Sequence, residues 1–252
     1  MNQNASKAVF AIFDEFRSRT EKLEPQILAK RISELNLSLS ASDVAEVGTL
    51  IGRFFGDRGV FPVPPLLLPV ISALIQDRHD KAICDPWAGI GTILAGVQEA
   101  TKVRSAIAIV QNRADFELGK VLLSTAEWHL GNPLELLSSK VPELDLVVSI
   151  PPFGAKGGPP LVLQGVDGKD VELRDDLGNL ILAASAARLG QQGIGIYIVT
   201  PSFFFSSRSV LRDFASRCCP CSPCLAATNR PRQERICRWR RQERTAEISE
   251  IA

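Results

Sequence analysis

The sequence predicts a doubly wound α/β fold: a mostly parallel sheet covered by helices on both faces, preceded by a small helical segment. Strand-like segments alternate with helix-like segments from about residue 81 to residue 200, the pattern of a parallel sheet with crossover helices. Two strand-like segments run directly into turns rich in glycine or proline, at residues 85–91 and 150–154. The 252 residues suffice for one large α/β domain, and 45% hydrophobic residues are ordinary for a globular protein.

The first 56 residues are predicted to form the helical segment. Apolar side chains recur there at i, i+3, i+4 and i+7, as in an amphipathic helix: Val9, Ile12, Phe13 and Phe16. A second stripe follows Pro25, and Ser42 is predicted to cap a third helix that runs to about Phe55, with Gly56 as its stop. A structural cap on the following domain is the simpler interpretation, and a partner-binding arm is the alternative.

A single α/β domain is predicted from residue 57 to residue 216. A turn rich in glycine and proline leads into a helix from about Leu66, and the alternation then begins. Predicted strands cover residues 81–84, 105–110, 126–130, 144–150 and 194–200, and predicted helices cover residues 92–100, 113–126 and 177–189. A loop with two glycines and two prolines, at residues 157–160, follows the fourth strand.

Charge and hydropathy narrow the function classes. The formal net charge is +1, so a nucleic-acid partner would need a local basic surface. The N-terminal stretch "MNQNASKAVFAIFDEF" has no uninterrupted apolar core, and four prolines break the apolar run at residues 60–75. Neither segment is typical of a secretion signal or of a membrane span, so we expect no membrane contact and a cytoplasmic protein.

Residues 217–252 form an atypical tail, rich in arginine and cysteine. Five of the six cysteines lie between Cys218 and Cys237. A zinc knuckle would need a second well-spaced pair beside Cys221 and Cys224, and the arginines could bind nucleic acid electrostatically. We favour a third interpretation, a tail that is disordered or out of frame. The sheet would then be incomplete, with the strand at residues 194–200 as an exposed edge.

The first turn with the features of a ligand-binding site is "ICDPWAGIGTIL". Asp85 ends a strand, Gly89 and Gly91 make the turn, and a helix starts near Thr92. Glycines let the backbone approach a ligand, and the helix start offers free N–H groups to an anion. A dinucleotide-binding turn would want a third glycine where Leu94 stands, so a nicotinamide cofactor is disfavoured. A purely structural turn is the alternative.

The second turn is "LDLVVSIPPFG". The prolines remove backbone donors, so a buried strand is expected to end there and to present a rigid Pro-Pro-Phe turn. Both turns then follow parallel strands at their carboxyl ends, where open α/β sheets bind ligands. Phe153 is predicted either as a platform for stacking a base or as a plain core aromatic.

Taken together, the two turns resemble the motifs of amino-methyltransferases that act on DNA with S-adenosyl-L-methionine (AdoMet). The segment "DPWAGIGTIL" resembles the AdoMet motif Asp-Pro-x-x-Gly-x-Gly, and "IPPFG" resembles the catalytic motif, Asn, Asp or Ser followed by Pro-Pro and Tyr or Phe. Order and spacing are most similar to the modification subunit of type I restriction systems. The resemblance covers about residues 57–215.

The resemblance implies a Rossmann-like AdoMet-methyltransferase fold and AdoMet as the cofactor. The positions that match the donor-binding residues of the family are Phe61, Asp85, Pro86, Ala88, Gly89, Gly91, Gln111 and Asn132. A flipped adenine would stack on Phe153 in the catalytic turn, which also comprises Ile150, Pro151 and Pro152. The implied partners are DNA and a specificity subunit, and no metal is implied.

Three polar positions of the family pattern differ here. Ile150 stands where the family has Asn, Asp or Ser, Gln111 where it has the acid that binds ribose, and Asn132 where it has Asp. Ser149 is one residue too early and is expected on the opposite face of its strand. The sequence therefore leaves three functions open: a DNA adenine methyltransferase, an inactive relative that binds AdoMet or DNA, and a methyltransferase of RNA or protein glutamine.

Overall fold

The computed structural model describes residues 3–17, 23–55, 63, 66–75, 82–101, 103, 105–164, 169–199, 223–225 and 235–240. The chain divides into two compact units. The first unit comprises residues 1–79 and 88–131, and the second comprises residues 80–87 and 132–252. The domain boundaries predicted at residues 56 and 216 lie outside the described residues and stay predictions.

The first unit begins with the predicted helices. They are α1 (Gln3–Arg17), α2 (Pro25–Glu34), α3 (Ala41–Phe55) and α4 (Leu67–Leu74). The apolar stripes of α1, α2 and α3 are buried, with large side chains at most 2% exposed: Phe13, Leu28, Ile51 and Phe55. The described residues of the first 56 are therefore mostly helical, and the apolar periodicity is the cause.

The predicted cap of the third helix is wrong by two residues. Helix α3 begins at Ala41, and Ser40 precedes it as the cap. The hydroxyl of Ser40 accepts from the Asp43 N–H at 3.2 Å, and the Asp43 carboxylate accepts from the Ser40 N–H at 2.9 Å. This reciprocal capping satisfies two helix-end donors at once, whereas Ser42 lies inside the first turn.

The first unit continues with a parallel strand pair and two helices: α5 (Thr92–Thr101), β2 (Ala106–Val110), α6 (Arg113–Leu122) and β3 (Ala126–Leu130). Strand β2 pairs with β3 from Ala106–Ala126 to Val110–Leu130. All five residues of β2 are buried, whereas β3 is only partly covered. Helix α6 ends at Leu122, four residues before its predicted end, so that the chain can turn into β3.

The second unit holds the longer part of the parallel sheet. Its elements are β1 (Ile83–Asp85), α7 (Pro133–Ser139), β4 (Leu144–Ser149), β5 (Leu161–Gln164), β6 (Asp170–Leu173), α8 (Leu177–Ala186), β7 (Leu189–Val199), β8 (Pro223–Leu225) and β9 (Arg235–Arg240). The strand order is β1-β4-β7-β9-β8, and the first three strands run parallel. The parallel arrangement places the ends of β1 and β4 at the same edge of the sheet.

Two predictions for this unit are wrong. Strand β7 is not an exposed edge, because β9 pairs with it antiparallel from Ile194–Arg240 to Val199–Arg235. The sheet therefore continues into the tail, where composition had suggested that it stops. The separate antiparallel pair β5–β6 and the short helix α7 were also not predicted from the sequence.

Among the residues that the structure describes, no helix is both long enough and apolar enough to cross a bilayer.

Candidate functional site

The side chain of Asp85 lies at the carboxyl end of β1 and is only 1% exposed. Its Oδ1 accepts two hydrogen bonds, from the Ser149 hydroxyl at 2.7 Å and from the Trp87 N–H at 3.0 Å. Its Oδ2 is buried and has no hydrogen-bond partner among the described residues. Burial raises the pKa of the Asp85 carboxyl to about 7, against the two hydrogen bonds, which lower it.

Strands β1 and β4 hold Asp85 in this position. They pair parallel, with Ile83 opposite Leu146 and Cys84 opposite Val147, and all four side chains are fully buried. At the opposite end of the pair, the Ala82 N–H donates to the Asp145 carboxylate at 3.0 Å. A short strand fixed at both ends leaves its terminal carboxylate little freedom.

The catalytic turn predicted from the sequence follows β4 directly. Pro151 is buried, Ile150 and Pro152 are half-buried, and Phe153 is 47% exposed. The interpretation of Phe153 as a plain core aromatic is therefore wrong. Gly154 has a φ of +66°, a value that glycine adopts without cost, and this lets the chain reverse after the exposed ring.

Ser149 does not take the place of Ile150. The pairing of β4 with β7 is continuous from Leu146 opposite Ile194 to Ser149 opposite Tyr197, with no extra residue that could turn Ser149 to the other face. Ser149 is fully buried, and its hydroxyl donates to Asp85 instead. The expectation that Ser149 and Ile150 face opposite sides of the strand agrees with this register.

The start of helix α8 packs against the catalytic turn and the residue that follows Gly154. The Leu177 N–H donates to the Ala155 carbonyl at 2.9 Å, and the Asp176 side chain caps the helix by accepting from the Asn179 N–H at 2.9 Å. A Cβ added at Gly178 would lie inside contact distance of the Pro152 carbonyl oxygen. Only glycine lets the helix and the turn approach this closely.

The two glycines of the first motif lie in the first unit and play different roles. Gly91 has a φ of +87°, and an added Cβ would lie 3.0 Å from the Trp128 ring. Gly89 has a φ of +53° and open space where a Cβ would stand. The Ala88 N–H donates to the Ile109 carbonyl at 3.0 Å, which fixes this turn against β2. Gly91 is needed for packing, whereas Gly89 leaves room for a ligand.

The remaining predicted donor-binding residues are spread over the chain. Gln111 is exposed directly after β2, and Pro86 is buried directly after β1. Asn132 caps helix α7, since its Oδ1 accepts from the Leu134 N–H at 3.0 Å and its Nδ2 donates to Glu135 at 3.1 Å. Phe61 lies outside the described residues.

The link between Asp85 and Ser149 was missed by sequence reasoning. The available signal was a serine at the C-terminal end of a strand that is apolar apart from Asp145, one residue before Ile150 and the two prolines. A buried hydroxyl needs a partner, and the nearest neighbouring strand ends in a carboxylate. No cluster of three or more metal-ligating side chains occurs among the described residues.

No protein-family model and no curated protein matches this chain. It is similar in structure to a candidate class I S-adenosylmethionine-dependent methyltransferase from Listeria monocytogenes, with a TM-score of 0.68 and 10% identity over 98% of this chain and 91% of the other. It is also similar to a methyltransferase from Geobacter sulfurreducens, with a TM-score of 0.51 and 14% identity over 89% of this chain and 99% of the other.

A third similar structure is the modification subunit of a candidate type I restriction enzyme from Vibrio vulnificus. The TM-score is 0.57 and the identity 13%, over 85% of this chain. The chain spans about half, 53%, of the length of that subunit. These likenesses, together with the parallel strands and their flanking helices, confirm the predicted fold class: the chain has a Rossmann-like AdoMet-methyltransferase fold.

Proposed function

We propose that this chain is an AdoMet-dependent methyltransferase of the DNA adenine amino-methyltransferase type. The observation that carries the proposal is the placement of its two motifs. Asp85 and the turn at residues 150–153 end neighbouring parallel strands of the second unit, and a hydrogen bond of 2.7 Å from Ser149 to Asp85 joins them. The fold adds support, because its structural neighbours include class I methyltransferases.

The proposed donor-binding residues are those matched by the family motif, and the local structure of Asp85 and Gly89 supports the proposal. AdoMet supplies an electrophilic methyl group on a positively charged sulfonium, and it also carries an ammonium group. The unpartnered Oδ2 of Asp85 is an acceptor for a cationic group or an N–H, and burial strengthens such a contact. Gly89 offers backbone next to open space. Pro86, Ala88, Gly91, Gln111, Asn132 and Phe61 complete the proposed set.

The catalytic turn is proposed to hold the acceptor base. The exposed ring of Phe153 is a face on which an unstacked adenine can lie. The backbone carbonyls of the Pro-Pro segment are acceptors for the exocyclic amine, since carbonyl oxygens have two lone pairs. Catalysis would then consist of positioning the amine, with no covalent intermediate on the protein.

Ile150 limits this reaction. Its side chain accepts no hydrogen bond, so one N–H of a bound amine would stay unpaired, at a cost of about 1–3 kcal/mol. Loss of one positioned contact in the transition state typically lowers a rate by about a hundredfold or more. This residue favours the second candidate function, an inactive relative that binds AdoMet or DNA, and it predicts low activity for the native chain.

The test measures transfer of a labelled methyl group from AdoMet to DNA, RNA and protein. We expect the label on adenine in DNA, and we expect Ile150→Asn to raise the rate by about a hundredfold because it restores an acceptor. Ile150→Val is the matched control, since it stays apolar at the same position and should leave the rate unchanged.

The outcomes separate the candidate functions. Label on RNA or on protein glutamine would show that the substrate is wrong while the methyltransferase stands. Binding of AdoMet without transfer by native chain or Ile150→Asn would establish the inactive relative. No binding of AdoMet would overturn the methyltransferase and the AdoMet-binding form of the inactive relative.

We also propose that sequence-specific recognition comes from a partner, a specificity subunit that binds DNA. The net charge of +1 supports this, because the chain as a whole lacks the excess of basic residues that tight binding to phosphates requires. Measured alone, the chain should bind duplex DNA weakly and without sequence preference.

A further inference from the structure

Only one of the two oxygens of the Asp85 carboxylate is hydrogen-bonded within the described part of the chain. Both hydrogen bonds, from Ser149 at 2.7 Å and from the Trp87 N–H at 3.0 Å, go to Oδ1. The carboxylate is nine-tenths buried or more, and Oδ2 has no partner among the described residues. Buried carboxylate oxygens are normally satisfied, so an unsatisfied one whose twin is doubly satisfied indicates a place kept for an external donor.

Ser149 is the side-chain donor that fixes this orientation. The Trp87 N–H comes from the residue two positions after Asp85 and moves with the same turn, whereas Ser149 belongs to a different strand. The hydroxyl of Ser149 therefore anchors the carboxylate to β4. Without it, Oδ1 would keep one local donor, and rotation about the last side-chain bond could exchange the two oxygens.

Ser149 also stands at the junction of the two motifs. It is the last residue of β4, and Ile150 begins the catalytic turn. Its register partner on β7 is Tyr197, so the strand is paired on that side up to this residue. The Asp85 carboxylate is thus connected to the catalytic turn by its hydrogen bond with Ser149 and by the peptide bond from Ser149 to Ile150.

We propose that Ser149 is a positioning residue for the methyl donor: its hydroxyl holds the Asp85 carboxylate with Oδ2 free to accept from a cationic or N–H group of AdoMet, and it ties that contact to the turn that begins at Ile150. The inference rests on the proposed binding of AdoMet. It goes beyond the family motif, because the motif includes Asp85 and the position of Ile150 but assigns no role to Ser149, which precedes that position.

The charge state of Asp85 gives the proposal a measurable signature. Burial raises the pKa of this carboxyl to about 7, and the Ser149 hydrogen bond counteracts the rise. Only the ionised carboxylate accepts at both oxygens, so AdoMet should bind more tightly as the pH rises through about 7. Removal of the hydroxyl should move this midpoint to higher pH, because a donor to the charged form is lost.

Other titratable groups lie on the strands around Asp85. On β1, burial and then the Asp85 charge raise the pKa of the Cys84 thiol well above its usual range. On β4, Asp145 accepts from the Ala82 N–H at the far end of the strand. On β7, the Tyr197 hydroxyl is hydrogen-bonded to Ser185 at 2.8 Å. Helix α8 carries no ionisable side chain, and burial raises the pKa of its capping Asp176.

The experiment measures the dissociation constant of AdoMet by calorimetry between about pH 5.5 and 8.5 for the full chain and three variants. Ser149→Ala removes the hydroxyl, and Ser149→Cys keeps the size of the side chain with a weaker donor. Ser185→Ala is the matched control, because Ser185 is an equally buried hydroxyl of the second unit whose partners are Tyr197 and helix carbonyls.

We expect Ser149→Ala to weaken AdoMet binding by about tenfold or more at pH 7 and to shift the pH midpoint of AdoMet binding upward. Ser149→Cys should shift it in the same direction by less, and it decides the question if the Ala variant does not fold. Ser185→Ala should lower the melting temperature but leave the pH midpoint of AdoMet binding unchanged, as expected for a purely structural hydroxyl.

Two results would count against different claims. If the native chain binds AdoMet and both Ser149 variants keep its midpoint and affinity, the role of Ser149 is refuted and the proposed function survives. If the native chain does not bind AdoMet at any pH, the proposed function itself fails, and this inference fails with it.

Discussion

At the scale of single residues, the most informative group is the buried carboxyl of Asp85. An aspartate that is 1% exposed and pairs with no cation among the described residues is costly to ionise. Its pKa of about 7 means that the folded protein holds a proton there which the unfolded chain releases at a pH near 4. A second carboxyl, that of Asp115 on α6, has its pKa raised by burial to about 7 as well.

These two carboxyls predict how stability depends on pH. Their pKa is raised in the folded state, so between about pH 4 and pH 7 the folded chain binds more protons than the unfolded chain. The free energy of unfolding should therefore fall as the pH rises through this window and level off above it. A shift of this size corresponds to roughly 4 kcal/mol per carboxyl before any relaxation of the structure.

Asp85→Asn and Asp115→Asn test this dependence. Each removes a group that ionises, so each variant should gain stability relative to the native chain by a few kcal/mol between pH 4.5 and pH 7.5. Urea unfolding at the two pH values measures the gain, and pH 4.5 is the internal baseline. A difference from the native chain that does not change with pH would contradict the assignment. Of the two variants, only Asp85→Asn should impair AdoMet binding.

Residue chemistry also sets the limit of what the sequence could predict at the site. The two motifs and the exchange of a polar residue for Ile150 are visible in the sequence, because both depend on residue type and spacing. The role of Asn132 was not visible. As the cap of α7, its amide is already bonded to Leu134 and Glu135, and a cap depends on where a helix begins.

At the scale of elements, the contact between α8 and the catalytic turn makes Gly178 a sensitive position. A Cβ there would meet the Pro152 carbonyl, which is backbone and cannot rotate away. Gly178→Ala should displace the Pro-Pro turn and lower methyl transfer by about tenfold or more, with AdoMet affinity little changed.

Gly158→Ala is the matched control for that substitution, because Gly158 lies in the following loop with open space around it. Steady-state rates and AdoMet dissociation constants of the two variants should separate the effects. Equal rates for the two variants would show that the turn tolerates the displacement.

In the first unit, the indole of Trp128 packs closely against two glycines. Its Nε1–H donates to the Leu123 carbonyl at 3.0 Å, and the ring lies against both Gly91 and Gly119. Gly119→Ala would force the ring to move and should lower the unfolding free energy by about 1–3 kcal/mol. Combined with Trp128→Leu, the same substitution should cost less, and urea unfolding of the double-mutant cycle measures the coupling. Additive costs would mean that the two positions do not compete for space.

Elements were predictable where their apolar pattern was long or strict. Helices α1 and α5 and strands β2 and β4 follow the predictions closely, because one face or the whole element is buried. The pair β5–β6 was missed, since its residues are mostly half-buried or exposed and carry little pattern. Strand β9 was missed because arginines occupy half of "RICRWR", a composition untypical of a sheet interior.

At the scale of the whole molecule, the fold alone does not identify the ligand, so ligand binding is the informative global measurement. A ligand that binds only the folded state adds about 2.7 kcal/mol of stability at a hundredfold excess over its dissociation constant. For a chain of 252 residues this predicts a rise of roughly 5–10 °C in the melting temperature with AdoMet. Adenosine, which lacks the methionine portion of AdoMet, is the control ligand and should raise the melting temperature less. A melt that AdoMet does not shift would contradict donor binding.

The fold class was predictable from the sequence, whereas the substrate was not. Alternating strands and helices record how a chain packs, and that record needs no knowledge of the ligand. The substrate depends on a few side chains around the turn, and Ile150 departs there from the family pattern. Structural likeness at 10–14% identity extends the first kind of information and leaves the second to experiment.

The pairing of β1 with β4 has a consequence for synthesis on the ribosome. Ala82 and its partner Asp145 are 63 positions apart, so at roughly 5–20 residues per second the three-residue strand β1 emerges roughly 3–13 s before β4 exists. During that interval its apolar residues have no parallel neighbour within the second unit. A nascent chain halted after about residue 140 should therefore be captured by chaperones that bind exposed apolar segments, and one halted well beyond β7 should be released.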